Sequence, residues 1–333
     1  MSHNKNNSRV NPHISVTRKA FLKQSSLSLL GLSLLPLGAS PLDFNNNAAR
    51  DIRKYDHDND EKRLRSVTYN IFNGCIGYKG INGRELPPGE NSDLVKTARD
   101  TGQVAQRIML ELALYKPNII NFSEGPSEEV VAKMAKMLDL NYAYFPGGFP
   151  GAILTTYEIM SSENRPFQNK SRNNPKELFT RHWGKAKLRL PNGKPLTVHS
   201  AHLWPFRKEE NDTQIRLKEI KELTASIKYD LANNSDSVLL QGDLNHTPDT
   251  LEYKSLNSAG LVDAFVAAGS GDGYTSSSIK PSKRIDFIYA IGALSKQIKD
   301  CMPLFQGSFR MNNEDPKGFA LSDHIPVLAD FEL

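Results

Sequence analysis

The sequence predicts an α/β (α+β) domain built from β-sheet layers covered by helices, and three observations carry that expectation. Short segments that are apolar throughout, or that alternate apolar and polar residues, recur from residue 64 to the C-terminus as strands do. Longer segments with apolar residues at helical intervals lie among them, as expected of helices that cover sheet faces. Several strand-like segments end in Asn, Asp, Glu or His, side chains that bind metal ions or phosphate.

Taken in order, residues 64–70 alternate as a strand, 94–115 carry helical spacing, and 118–122 form a short apolar strand. A second helix is expected over 127–138. Further strands are expected at 152–156, 186–190, 196–201, 237–242, 284–290 and 326–332. Residues 210–231 place Ile215, Ile220, Leu223 and Ile227 at roughly helical intervals, the mark of an amphipathic surface helix. The Pro-, Gly- and Asn-rich stretches 76–92, 144–151 and 161–180 read as loops, where substrate selectivity is expected to reside. No internal repeat is present.

A chain of 333 residues, 38% hydrophobic and 24% charged, has the composition of an ordinary globular protein. Its formal charge of +5 points at first to an anionic partner such as nucleic acid. Residues 1–40, however, hold five basic side chains (Lys5, Arg9, Arg18, Lys19 and Lys23) and no acidic one, leaving 37 basic against 37 acidic residues in the remainder. The body of the protein is formally neutral.

The basic start, the apolar run 25–37 and the small residues Gly38-Ala39-Ser40 have the layout of an export signal over 1–40. Within it, Thr17-Arg18-Lys19-Ala20-Phe21-Leu22-Lys23 resembles the bacterial twin-arginine motif with Lys19 in place of the second arginine. The apolar run is too short and too serine-rich for a membrane span. Residues 41–63, rich in Asn, Asp, Lys and Arg, read as a linker to a domain over 64–333. The expected destination is the periplasm or the exterior. Cys75 and Cys301 permit a disulfide there without implying one, and the absence of a cysteine cluster excludes a thiolate zinc site.

The strand ends concentrate the chemistry. Thr68-Tyr69-Asn70, Asn121-Phe122-Ser123-Glu124, Ala201-His202-Leu203, Gly242-Asp243-Leu244-Asn245, Arg284-Ile285-Asp286 and Ser322-Asp323-His324 each close or adjoin an expected strand. Acids, amides and histidines converging at one sheet rim can hold a hard cation through oxygen ligands and supply a base. His199, three residues before His202, should point to the opposite face of an extended strand and is read as structural. His246 and Trp204 adjoin the site, where packing is at least as good an account of them as substrate contact.

In this order the segments resemble the endonuclease/exonuclease/phosphatase superfamily, which includes deoxyribonuclease I-like nucleases, abasic-site endonucleases, neutral sphingomyelinases and inositol-polyphosphate phosphatases. The resemblance spans about 64–333, and Gly242-Asp243-Leu244-Asn245 and Ser322-Asp323-His324 are its most specific pieces. It implies a deoxyribonuclease I-like four-layer sandwich, two packed mixed β-sheets flanked by helices. It also implies that Asn70 and Glu124 bind the metal, normally Mg²⁺ with Mn²⁺ as the alternative, with Asp323 as a further or water-mediated ligand. By the same resemblance Asp243 and Asn245 orient the attacking water and hold a phosphate oxygen. His324 is implied as general base, with Asp286 fixing its tautomer, and His202 as the group that binds the scissile phosphate or assists the leaving group. Ser123 and Ala201 stand where many relatives have Gln and Thr, beside the chemistry rather than in it.

The expected activity is therefore metal-assisted hydrolysis of a phosphodiester or phosphomonoester by a monomeric enzyme. The neutral body favours a small molecule or a lipid headgroup over nucleic acid, since phosphate contacts to basic side chains dominate nucleic-acid affinity. Lys185, Lys187, Arg189, Arg207 and Lys208 are the residues that could form a local basic patch. A secreted nuclease is the alternative, and a non-catalytic binding protein of the same fold a second one.

Overall fold

The computed structural model describes residues 62–78, 80–81, 84–85, 93–165, 174, 176–207, 209–233, 235–309 and 319–333. The export signal expected over 1–40, nearly all of the linker expected over 41–63, and Lys208 lie outside the described residues.

In chain order the elements begin with β1 (Arg63–Asn70), the two-residue strands β2 (Gly80–Ile81) and β3 (Arg84–Glu85), α1 (Asp93–Asp100), α2 (Gln103–Ala113) and β4 (Ile119–Ser123). There follow α3 (Glu128–Met137), β5 (Asn141–Phe145), β6 (Gly151–Thr155), β7 (Glu158–Asn164), β8 (His182–Arg189) and β9 (Pro195–His202). The remainder comprises α4 (Asp212–Asn233), β10 (Ser237–Asp243), α5 (Leu251–Ser258), β11 (Val262–Asp263), α6 (Ala264–Ala268), β12 (Asp286–Gly292), β13 (Ile298–Pro303) and β14 (Val327–Glu332).

Two six-stranded mixed sheets form, in the orders β13-β14-β1-β4-β6-β5 and β11-β12-β10-β9-β8-β7. Their facing sides share one apolar core, in which Leu64, Ile119 and Ile153 of the first sheet meet Val198, Leu239 and Ile288 of the second. The outer face of the first sheet packs Val67, Tyr69 and Phe122 against Ile108, Met109 and Leu112 of α2 and Val131 of α3. On the outer face of the second, Val238 and Leu240 meet Ile220, Leu223 and Ile227 of α4 and Leu256 of α5. Helix, sheet, sheet, helix is the expected four-layer sandwich. Each fully buried Leu or Ile in these three cores stabilises it by roughly 1.5–3 kcal/mol.

The helix expected over 94–115 is two helices. Gly102 between them takes φ 73°, a left-handed conformation that ends α1 and caps α2. Stretches expected as loops contain strand: β5 runs to Phe145, β7 to Asn164, and β2 and β3 lie within 76–92. Among the described residues, the unexpected strands β5, β7, β11 and β13 are the edges of the two six-stranded sheets. An edge strand has one solvated flank and a mixed burial pattern, exposed at five of the seven residues of β7, so it lacks the apolar run that announces a central strand. Cys75 and Cys301 are both buried and free.

Candidate active site

The interior of the sandwich changes character along the strands. Toward the second sheet β1 presents Leu64, Ser66, Thr68 and then Asn70, all buried. Its parallel neighbour β4 presents Ile119, Asn121 and Ser123, and in the second sheet Val198, Ser200 and His202 of β9 run parallel to Leu239, Gln241 and Asp243 of β10. Each inner face thus passes from apolar to polar toward the same rim. Ser66 Oγ bonds Gln241 Oε1 across the sheets at 2.7 Å, and Asn121 Nδ2 donates to Thr68 Oγ1 at 3.0 Å. These pairs satisfy part of the buried polar layer beneath the rim, while Asn121 Oδ1 and Gln241 Nε2 find no protein partner. Thr68 and Asn121 belong to the strand-end segments named from the sequence but carry no expected role, and Ser66, Ser200 and Gln241 lie outside those segments, although their period-2 spacing behind the strand-end residues carries the signal.

At the rim Asn70 Nδ2 donates to Glu124 Oε1 at 3.2 Å and to Asp243 Oδ2 at 3.0 Å, joining the two sheets. Asn70 Oδ1 accepts from Phe72 N at 3.0 Å, and Glu124 Oε2 accepts from Asn73 N at 2.9 Å. Glu124 sits just past β4 at φ 54°, and Asn245 at φ 49° turns its N–H back to Asp243 Oδ1 at 3.1 Å. Left-handed residues other than glycine concentrate at functional sites, because the surroundings must hold them there. Before Asp243, Gly242 adopts φ 145°, and a Cβ there would lie 1.9 Å from the Ala201 carbonyl oxygen. Only glycine permits β10 to approach β9 that closely while delivering Asp243 to the rim.

Asp286, the register partner of Asp243 on β12, accepts at Oδ2 from His324 Nδ1 at 2.7 Å. Thr275 Oγ1 accepts the Asp286 N–H at 3.2 Å, and Ser322 Oγ both donates to the Asn70 carbonyl oxygen at 2.6 Å and accepts from His324 N at 3.1 Å. His324 Nε2 faces Asp243 Oδ2 at 3.9 Å, and His202 Nε2 faces the same oxygen at 3.5 Å. Burial, reinforced by the Asp286 carboxylate, pushes Asp243 up to about 7. Burial opposes charge on His324, but Asp286 and Asp323 outweigh it and hold the imidazole well above its usual range. Burial, with His182 and Arg181 nearby, holds His202 well below.

Asn70, Glu124, His202, Asp243, Asn245, Asp286 and His324 thus come together at one rim of the sandwich. Asp323 is half-buried beside Ser322, and its charge is felt by His324. Among the described residues the clusters with ligand atoms within 4.8 Å of one another are Glu124, His202 and Asp243, and Asp243, Asp286 and His324. Asp323 belongs to neither.

The donor set fits a hard divalent cation. Carboxylates of Glu124 and Asp243 converge, burial and then the charge of Asp286 disfavour the ionised Asp243, and the buried atoms Ser123 Oγ, His202 Nδ1 and Asp286 Oδ1 find no protein hydrogen-bond partner. Asn70 turns its Nδ2 to the carboxylates, so ligation through its Oδ1 would require the amide to rotate and release Phe72 N–H.

His199 points away from the site, as its spacing predicts, bonding Asp230 Oδ2 of α4 at 2.9 Å. His246 is fully buried and stacks on Phe287 at 4.6 Å, and Trp204 is buried with Nε1 on Asp212 at 2.8 Å. Both are packing residues. Of the candidate basic patch, Lys185 pairs with Asp230 at 2.9 Å and Arg189 with Glu158 at 2.8 Å, while Arg207 lies over the Trp204 ring at 4.8 Å. Arg181, buried beside His202, is not among the residues the sequence singles out; it directly follows the expected loop 161–180.

By sequence the chain matches no protein-family model and no curated protein. By structure it is similar to a mannosyl-6-phosphatase from Bacteroides thetaiotaomicron, at 17% identity and TM-score 0.60, covering 80% of this chain and 98% of that one. It is also similar to an endonuclease/exonuclease/phosphatase family protein from the same organism, at 15% identity and TM-score 0.58, covering 81% and 95%. This is the endonuclease/exonuclease/phosphatase fold. TDP2 from D. rerio, in complex with a single-strand DNA product, shares it at 16% identity and TM-score 0.55, covering 81% of this chain and 99% of that one.

Proposed function

We propose that this chain is an exported, metal-dependent phosphoesterase that hydrolyses a phosphodiester or phosphomonoester by in-line attack of water. The observation that carries the reading is the meeting at one rim of Glu124, Asp243 and His324, with His324 Nδ1 held 2.7 Å from Asp286. The structural neighbours, a mannosyl-6-phosphatase and TDP2 with a DNA product among them, support phosphate-ester chemistry in this fold.

Glu124 and Asp243 would hold a divalent cation, Mg²⁺ or Mn²⁺, with Asn70 joining through a turned amide and Asp323 through water. Bound there, such a cation offsets the carboxylate charge that holds His324 protonated and stabilises charge on a phosphate oxygen. Asp243 orients the water, with Asn245 fixed to its Oδ1 and His202 within 3.5 Å of its Oδ2 to grip a non-bridging oxygen. His324 presents Nε2 to the same space and takes the proton, while Asp286 fixes its tautomer and stabilises the imidazolium. His202, Asp243, Asn245 and His324 are each no more than 6% exposed, and reacting groups so enclosed suit a small or terminal phosphate group better than a long polymer. Among the described residues no helix is long and apolar enough to cross a membrane. Export rests on the leader alone and predicts a mature N-terminus near residue 40 in the periplasmic or culture fraction.

Incubating the protein with Mg²⁺ and p-nitrophenyl phosphate, bis-p-nitrophenyl phosphate, sphingomyelin or plasmid DNA tests the reading. The expected result is hydrolysis of a small ester that EDTA abolishes and Mg²⁺ restores. Plasmid nicking without small-ester turnover would favour the secreted-nuclease alternative, and no metal-dependent hydrolysis of any ester would leave a binding protein.

A further inference from the structure

Beside the reacting groups lies a positive charge to which the hydrolytic mechanism assigns no role. Arg181 is 3% exposed, as His202 is, and its guanidinium lies 4.9 Å from the centre of the Trp204 ring and 5.7 Å from that of Phe149. The Phe149 ring borders the reacting groups, 6.0 Å from that of His202, and Trp204 packs behind the guanidinium two residues after His202. The two segments are laced together, with Gly148 N donating to the Thr180 carbonyl oxygen at 3.1 Å and the Phe149 carbonyl oxygen 3.0 Å from His182 Nδ1. Arg181 Nη1 is oriented further by Thr180 Oγ1 at 2.7 Å. Clamped in this way, the guanidinium is placed before any substrate arrives, and little ordering entropy remains to be lost on binding.

The charge is permanent and crowded. Burial and the neighbouring Arg207 pull Arg181 down to about 10, far too high for it to lose its proton near neutrality, while the carboxylates of Glu219, Glu124 and Asp243 favour its charged form. Arg207 stacks on the same indole at 4.8 Å. His182 and His202, alongside, are held neutral by burial. Glu219 is already satisfied, its two oxygens accepting from Phe179 N at 2.7 Å and Trp204 N at 2.8 Å. Two guanidinium groups sharing one ring, next to a phosphate-ester site, favour a ligand with more negative charge than a single phosphodiester anion carries.

We propose that Arg181, clamped between Trp204 and Phe149 beside His202, is a specificity-determining residue that reads the second negative charge of a phosphomonoester, so that this chain prefers phosphomonoesters to phosphodiesters. The proposal deepens the phosphoesterase reading and rests on it. An arginine can meet two phosphate oxygens in bidentate fashion, whereas a diester offers only two non-bridging oxygens, both already needed by the groups around Asp243.

Initial rates on p-nitrophenyl phosphate and bis-p-nitrophenyl phosphate, measured with Mg²⁺ at pH 8 for the wild type, Arg181→Gln and Arg181→Lys, test it. The expected outcome is a wild type with the higher kcat/KM on the monoester. Arg181→Gln should lower the monoester value roughly 10- to 100-fold, the worth of a hydrogen bond to a charged group, with the diester value within about threefold. Arg181→Lys should recover part of the monoester rate, showing that charge and not packing is at issue. Equal losses on both esters, or a wild type that prefers the diester, would overturn the proposal. Binding of inorganic phosphate measured by calorimetry needs no turnover and separates the two readings. A wild type inactive on both esters fails as a phosphoesterase, whereas equal phosphate affinity in the wild type and Arg181→Gln removes the role of Arg181.

Discussion

His324 and His199 are both buried histidines hydrogen-bonded to a buried aspartate, at 2.7 Å to Asp286 and 2.9 Å to Asp230. They differ at the second nitrogen. Trp183 Nε1, which can only donate, points at His199 Nδ1 at 3.2 Å, so Nδ1 is an acceptor and Nε2 carries the hydrogen given to Asp230. His199 is thus a neutral imidazole with both nitrogens occupied by protein, beneath α4. His324 spends one nitrogen on Asp286 and turns the other toward Asp243 at the rim. Burial and a carboxylate partner do not by themselves make a catalytic histidine, since the same pair locks one part of the molecule and arms another. The available second nitrogen decides.

The largest effect expected from that contrast falls on turnover. His324→Ala should lower kcat on a small phosphate ester about 10²- to 10⁴-fold with a thermal midpoint close to that of the wild type, whereas His199→Ala should leave the activity of the folded protein within about twofold. Equal losses of activity would break the comparison.

A smaller effect, on stability, sharpens it. Asp230 also anchors Lys185 at 2.9 and 3.0 Å, and Arg165 stands nearby over the Trp183 ring. Burial would raise the Asp230 carboxyl, but hydrogen bonds from His199 and Lys185 hold it down to about 2, and burial holds His199 below its usual range despite Asp230. Both directions have the same sign: on acidification the unfolded chain takes up protons that the native state refuses, so stability falls. The loss begins as pH drops below the ordinary histidine value and is completed as it passes through about 2. Asp230→Asn should cost about 3 kcal/mol, lowering the thermal midpoint by roughly 6–12 °C at pH 7, and should flatten the decline of the midpoint between pH 7 and pH 3. An unchanged slope would show that this cluster does not couple folding to protons.

Which parts of this arrangement the sequence announces follows from the same physics. The central strands β1, β4, β9, β10, β12 and β14 are buried on both faces, so their apolar runs and polar ends stand out, and with them Asn70, Glu124, His202, Asp243, Asp286 and His324. The edge strands are solvated on one flank and leave no such run. Arg181 stayed hidden because its role comes from Trp204 and Phe149, which approach it only in the folded chain. In α4 the apolar positions were legible, but buried Glu219 and Asp230 were not, because the backbone amides and cations that satisfy them are distant in sequence.

The account depends on Glu124 from the first sheet and His324, paired with Asp286 of the second, operating as one site. A double-mutant cycle on kcat for a small phosphate ester, using Glu124→Ala, His324→Ala and the pair, measures that directly. One site predicts a double mutant no slower than about threefold below the slower single mutant, because removing either member already disables the unit. Losses that multiply across the two substitutions would mean that the residues act independently, and would contradict it.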